Sequence, residues 1–144
     1  MEKIVKATKK NVPRIVRIFR EEYGKSPWNE KWSENAAIKR INNYFKDHKI
    51  FVLKINNNIE GFVVLTSYIW HTGLRGFLHE IVVSNEFQGK GYGRKLMDFT
   101  EDYFKKIRAK EINLMTSDKS KAYKIYKKLK YHQEKNFVSM YKKL

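Results

Sequence analysis

The stretch FQGKGYGRKL, residues 87–96, places Gly89, Gly91 and Gly93 on alternate positions behind Gln88, with Lys90, Tyr92, Arg94 and Lys95 among them. Glycine at this density marks backbone that bends sharply or lies against another surface. The basic neighbours suit a phosphorylated one. Each known phosphate cradle has a spacing set by its geometry. The triphosphate loop, GxxxxGK followed by Ser or Thr, does not occur here. The dinucleotide turn, GxGxxG, would need its third glycine at position 94, which is Arg94. What remains is QxxGxG, Gln88 to Gly93, after one apolar run and before an amphipathic one. A loop that opens a helix offers free N–H groups and a positive terminus, which suit a pyrophosphate.

Other residues offer proton chemistry. His79 and Glu80 lie side by side in GFLHEIVVS (76–84), and strand alternation sends them to opposite faces unless a bulge intervenes. An unperturbed imidazole titrates near about 6.5, within reach of neutral-pH proton transfer. Tyr126 falls on a helical stripe with Ala122, Ile125 and Leu129, which by itself reads as a core tyrosine. Trp28, Asn29 and Trp32 lie in KSPWNEKW (25–32), where the tryptophans either wall a pocket for an amine or plug a loop. Cysteine is absent and the four histidines have no metal-ligand spacing, so no metal is expected.

These residues need a scaffold. The pattern predicts a strand at 3–8, a helix over VPRIVRIFREEY (12–23), and a second helix capped by Ser33 with Ala37, Ile38, Ile41, Tyr44 and Phe45 inward. A hairpin follows, 49–55 and 59–70, turning at Asn56–Asn58, and then the strand 76–84. Beyond the glycines come a helix at about 92–108, a strand at 111–117, a helix at 118–130 and a closing strand at 135–144. The order βααβββαβαβ implies one α/β domain on a mixed β-sheet flanked by helices.

A chain of 144 residues suits a single domain burying roughly 68–70% of its unfolded surface. With 31 Lys+Arg against 15 Asp+Glu, the net charge of +16 favours an anionic partner. Neither a signal peptide nor an apolar run of roughly 20 residues is present, so a soluble cytoplasmic protein that does not enter membranes is expected. Lysine-rich stretches at 105–110 and 119–130 carry interleaved tyrosines, the composition of a nucleic-acid- or ribosome-binding module. Several of those tyrosines fall on apolar faces, and that reading leaves the glycine loop without a purpose. Nucleic acid is therefore the weaker expectation.

The segment IVVSNEFQGKGYGRKLM resembles the GNAT superfamily of acyl-CoA-dependent N-acyltransferases, whose signature is Gln or Arg followed by xxGxG. KAYKIYKKLKY is similar to a later segment of that family, and the element order extends the likeness to a single N-acetyltransferase domain over residues 1–144. The resemblance implies direct acetyl transfer from acetyl-CoA to a primary amine, on a small molecule or a protein, within a ternary complex. It places the cofactor against Ile81, Val82, Val83, Gln88, Gly89, Lys90, Gly91, Tyr92, Gly93, Arg94, Lys95 and Lys119. It assigns an oxyanion N–H to Val82 or Val83, the general acid to Tyr126 and the general base to Glu80. Trp28, Asn29, Trp32 and His79 then fall on the acceptor side, and a homodimer is implied. Two positions depart from the family: Lys119 stands where asparagine is common, and Lys130 where glycine is.

Overall fold

A computed structural model describes all 144 residues. The elements are β1 (Glu2–Lys6), α1 (Val12–Tyr23), α2 (Glu34–Asp47), β2 (Lys49–Ile55), β3 (Asn58–Trp70), β4 (Gly73–Val83), α3 (Tyr92–Lys106), β5 (Glu111–Leu114) and α4 (Lys121–Lys128). The strands lie in the order β1-β2-β3-β4-β5, antiparallel except for the parallel β4–β5 pair.

Local signals account for most boundaries. Pro13 falls in the first turn of α1, where its missing N–H costs nothing. The Ser33 hydroxyl accepts from Ala36 N–H at 3.1 Å and starts α2. Asn56 and Asn57 take φ of 50° and 67°, the left-handed pair that a two-residue hairpin turn requires.

Helices cover both faces of the sheet, so residues 59–65 of β3 are buried on both sides. Ile15, Phe19 and Ile41 of α1 and α2 pack on Val52, Phe62 and Val82. On the opposite face, Leu96 and Phe104 of α3 and Tyr126 of α4 pack on Leu53, Val63, Leu65 and Leu78. A Cβ on Gly76 would come within 2.6 Å of the Phe104 ring, so a bare backbone at that position lets α3 close on the sheet.

Two irregularities shape the site. Val64 pairs with Glu80 but Leu65 with Leu78, which makes His79 the extra residue of a β-bulge. Leu78 therefore faces α3 and α4, whereas Glu80 faces α1 and α2. Pairing between β4 and β5 also stops at Leu78–Leu114, leaving the two strands apart beyond that point.

The closing strand expected at 135–144 does not form. Phe137, Val138, Met140 and Tyr141 are 75% to 89% exposed, and nothing in the chain pairs with this segment. An apolar, β-branched pattern makes a strand only where a neighbour takes its backbone groups. β5 and α4 are likewise shorter than the sequence suggests.

Candidate active site

Where β4 and β5 part, a cavity of about 630 Å³ opens between the end of α1, the 79–83 stretch of β4, the glycine loop and α4. Gly91, Gly93 and Arg94, at the start of α3, line it, and the first turn of the helix holds no acidic side chain. Gly89 and Gly91 have φ of 74° and 87°, so the loop itself requires glycine at both. Gly93 is different. Its φ is not left-handed and an added Cβ would touch nothing, so neither strain nor packing calls for glycine there. A bare Cα there leaves room for a ligand to approach the backbone.

The open edge of β4 adds backbone donors. Ser84 N–H donates to Glu60 O at 2.8 Å, so by two-residue alternation Val82 also points its backbone groups at β3. Those of Ile81 and Val83 point the other way, and the Val83 carbonyl accepts from Gln88 Nε2 at 2.8 Å. Of the two oxyanion candidates, alternation favours Val83.

Gln88, Gly89, Gly91, Gly93, Arg94 and Lys119 line the cavity, as do Ile81, Val82 and Val83. The Gln88 amide is held by the protein, donating also to Glu22 Oε1 at 2.5 Å, and so fixes the loop against α1. Lys90, Tyr92 and Lys95 lie outside the lining. Lys90 covers the Phe87 ring and Lys95 the Tyr92 ring, and Lys95 also pairs with Glu2. Their side chains shape the loop exterior instead of the cavity.

On the acceptor side, Trp28 and His79 line the cavity, whereas Asn29 and Trp32 do not. Trp32 packs edge-on against Phe19 at 4.9 Å and belongs to the core margin. The Asn29 amide turns back to Pro27 O at 3.4 Å. His79 lies 4.5 Å from the His48 ring, and burial lowers its pKa to about 4, helped by the nearby His48 and Arg40 charges. It is neutral at physiological pH.

Tyr126 lines the cavity from α4 while its ring is buried. Desolvation raises its pKa to about 12, so its hydroxyl stays protonated. Glu80 is buried behind the wall and does not line the cavity. Its Oε1 accepts from the Tyr23 hydroxyl at 2.6 Å and its Oε2 from the Tyr44 hydroxyl at 2.6 Å, with Arg40 at 3.6 Å. Burial, and then the Glu80 charge, raise the pKa of both tyrosines well above the ordinary phenol range. Tyr23 does line the cavity and so connects Glu80 to it. Sequence reasoning passed over Tyr23, although it continues the inward stripe of Ile15, Val16 and Phe19 and precedes the loop with Trp28.

The charges around the cavity are uneven. Arg94, Lys119, Lys121 and Lys128 lie toward α3 and α4, whereas at the α1 end Glu22 is paired with Lys25 at 2.7 Å. The α3–α4 end accommodates an anionic ligand.

The chain belongs to the acetyltransferase (GNAT) family, whose sequence profile matches residues 12–131. Acetyl-CoA is the co-substrate, and the free helix terminus, Gly93 and the cationic rim fit its pyrophosphate. Solved structures share the fold. A possible acetyltransferase from Clostridium difficile 630 is 13% identical with a TM-score of 0.87, over 100% of this chain and 99% of that one. The aminoglycoside N-acetyltransferase AAC(6')-Iy in complex with CoA is 14% identical with a TM-score of 0.79, over 100% and 96%. The aminoglycoside acetyltransferase meta-AAC0020, from an uncultured soil metagenomic sample and in complex with sisomicin, is 18% identical with a TM-score of 0.73, over 99% and 96%. No curated protein matches the sequence. No helix is long and apolar enough to cross a membrane.

Proposed function

We propose that this protein transfers the acetyl group of acetyl-CoA directly to a primary amine of a small molecule, peptide or protein, with both substrates bound together. One observation carries the reading: the glycine loop, the outward-facing backbone of Val83 and the side chains of Tyr126 and Tyr23 meet in one cavity. The thioester supplies an electrophilic carbonyl carbon, to which the amine nitrogen bonds as the C–S bond breaks.

An alkylammonium has a pKa of about 10.4 and must lose a proton before it attacks. Glu80 takes that proton through Tyr23, whose hydroxyl passes its own proton along the 2.6 Å bond while accepting one from the ammonium. The raised pKa of Tyr23 keeps the phenolate from persisting, so the charge change is left on the carboxylate. His79 also lines the cavity and is the alternative base, although burial lowers its pKa to about 4. Val83 N–H meets the negative charge developing on the carbonyl oxygen, a contribution of about 10²–10³ in rate per donor. Tyr126 donates its proton to the departing thiolate.

The likeness to aminoglycoside acetyltransferases puts polyamines among the first acceptors to screen. Thermal shift with acetyl-CoA and with RNA, followed by thiol release over an amine panel, tests the reading. Stabilisation by acetyl-CoA and amine-dependent thiol release are expected. Stabilisation by RNA alone, without thiol release, would replace the enzyme with a nucleic-acid-binding module on the same fold.

A further inference from the structure

We propose that a second anion site lies between the start of α1 and the β2–β3 hairpin, built for a phosphate dianion, either free or at the end of a phosphate monoester. A separate cavity of about 410 Å³ opens there, and no residue lines both it and the larger one. Its volume is that of a small-ligand site, and Ile59 is its one apolar wall, so the occupant is polar.

Charge gives the sign of that occupant. Lys10, Arg14 and Lys54 line the cavity against one carboxylate, Glu60, whose Oε2 already accepts from the Ser84 hydroxyl at 2.5 Å and from Arg14 Nη2 at 3.1 Å. Lys10 and Lys54 have no carboxylate partner. Lys54 also stands directly opposite Lys3 in the β1–β2 ladder, where like charges repel. An anion beside Lys54 offsets that repulsion.

The donors are held by the fold. Leu53 pairs with Gly61 but Lys54 with Ile59, which makes Glu60 the extra residue of a second β-bulge. Beside it, the Ile59 carbonyl accepts from Arg14 Nε at 2.9 Å. With Nε and Nη2 both engaged, the half-buried guanidinium is fixed in its plane and Nη1 is left to donate, which suits a phosphate oxygen. Asn11 accepts from Thr8 N–H at 2.8 Å through its Oδ1 and keeps its Nδ2 as a donor. Asn57 and Asn58 bring two more side-chain amides from the hairpin turn, where Asn57 has a φ of 67°. A fixed arginine, two lysines and neutral donors around one small cavity recognise a phosphate by charge and by hydrogen bonds together.

Titration of ¹⁵N-labelled protein with inorganic phosphate and, separately, with glycerol 3-phosphate, at an ionic strength held constant with chloride, tests the site amide by amide. Backbone amides at 10–14 and 54–60 should shift and saturate with either ligand, and the tighter of the two identifies the source of the phosphate. Lys10→Gln with Lys54→Gln should weaken this binding by about tenfold or more while the rest of the spectrum stays that of wild type. Amides at 88–94 report on the larger cavity separately, so the result is independent of what that cavity binds. Shifts that never saturate, saturable shifts confined to 88–94, or equal affinity in the double variant would each overturn the proposal.

Discussion

The Tyr23 hydroxyl donates a 2.6 Å hydrogen bond to Oε1 of Glu80, joining the last residue of α1 to the middle of β4. The β-bulge at His79 makes the pair possible by turning Glu80 to the α1 and α2 face while Leu78 stays on the other. Glu80 is sealed from the cavity and Tyr23 is not, so proton acceptance by the carboxylate runs through the phenol. Tyr23→Phe retains the ring contacts with Phe19 and Trp28 and removes the relay together with one hydrogen bond to the buried Glu80. We expect kcat to fall by about 10²-fold with the Kd for acetyl-CoA unchanged. An unchanged kcat would assign deprotonation to a water path.

Gly93 separates ligand binding from folding. Neither backbone conformation nor packing requires glycine there, so Gly93→Ala should stabilise the first turn of α3 by about 0.5–1 kcal/mol. The same methyl group should weaken acetyl-CoA binding by about tenfold or more, because it projects into the open loop. A calorimetric melt together with a binding titration shows both effects. A variant that melts higher and binds equally well would remove the close-approach argument.

His79 gives the protein an acid-side pH dependence. Its folded pKa of about 4 lies below the unfolded value of about 6.5, so the unfolded state binds more protons between these limits. The stability due to neutral His79 is complete above about 6.5 and is lost as the pH falls through about 4. The charges of His48, Arg40 and Asp47 act on the ring, so the contribution is read as a difference. Thermal melts over this range should fall more steeply for wild type than for His79→Gln.

Lys130 ends α4 with a φ of 68°, where a non-glycine residue is strained by roughly 1–2 kcal/mol. The family's usual glycine at this place has a physical reason. Lys130→Gly should raise the melting temperature by about 2–4 °C per kcal/mol gained. No change would mean that the unfolded chain gains as much freedom as the fold loses strain.

Residues with a local physical signature could be read from sequence. Pro13, Ser33, Asn56 and Asn57 act through their own backbone preferences, and the elements around them appear where expected. The QxxGxG spacing likewise carried its own geometry. The bulge at His79 has no such signature, because it depends on the register of β3 against β4, and with it went the environment of Glu80. Trp28 and Trp32 look alike in KSPWNEKW, yet only the path of the loop decides that one meets the cavity and the other the Phe19 ring. Residues 135–144 have a strand's pattern without a strand's neighbour.

Direct acetyl transfer to an amine is tested by thiol release from acetyl-CoA, with and without a primary amine, measured for wild type beside Tyr126→Phe. Release should require the amine in wild type and fall by about 10²-fold or more in the variant with acetyl-CoA affinity preserved. Equal rates in the two proteins, or release indifferent to every amine, would contradict it.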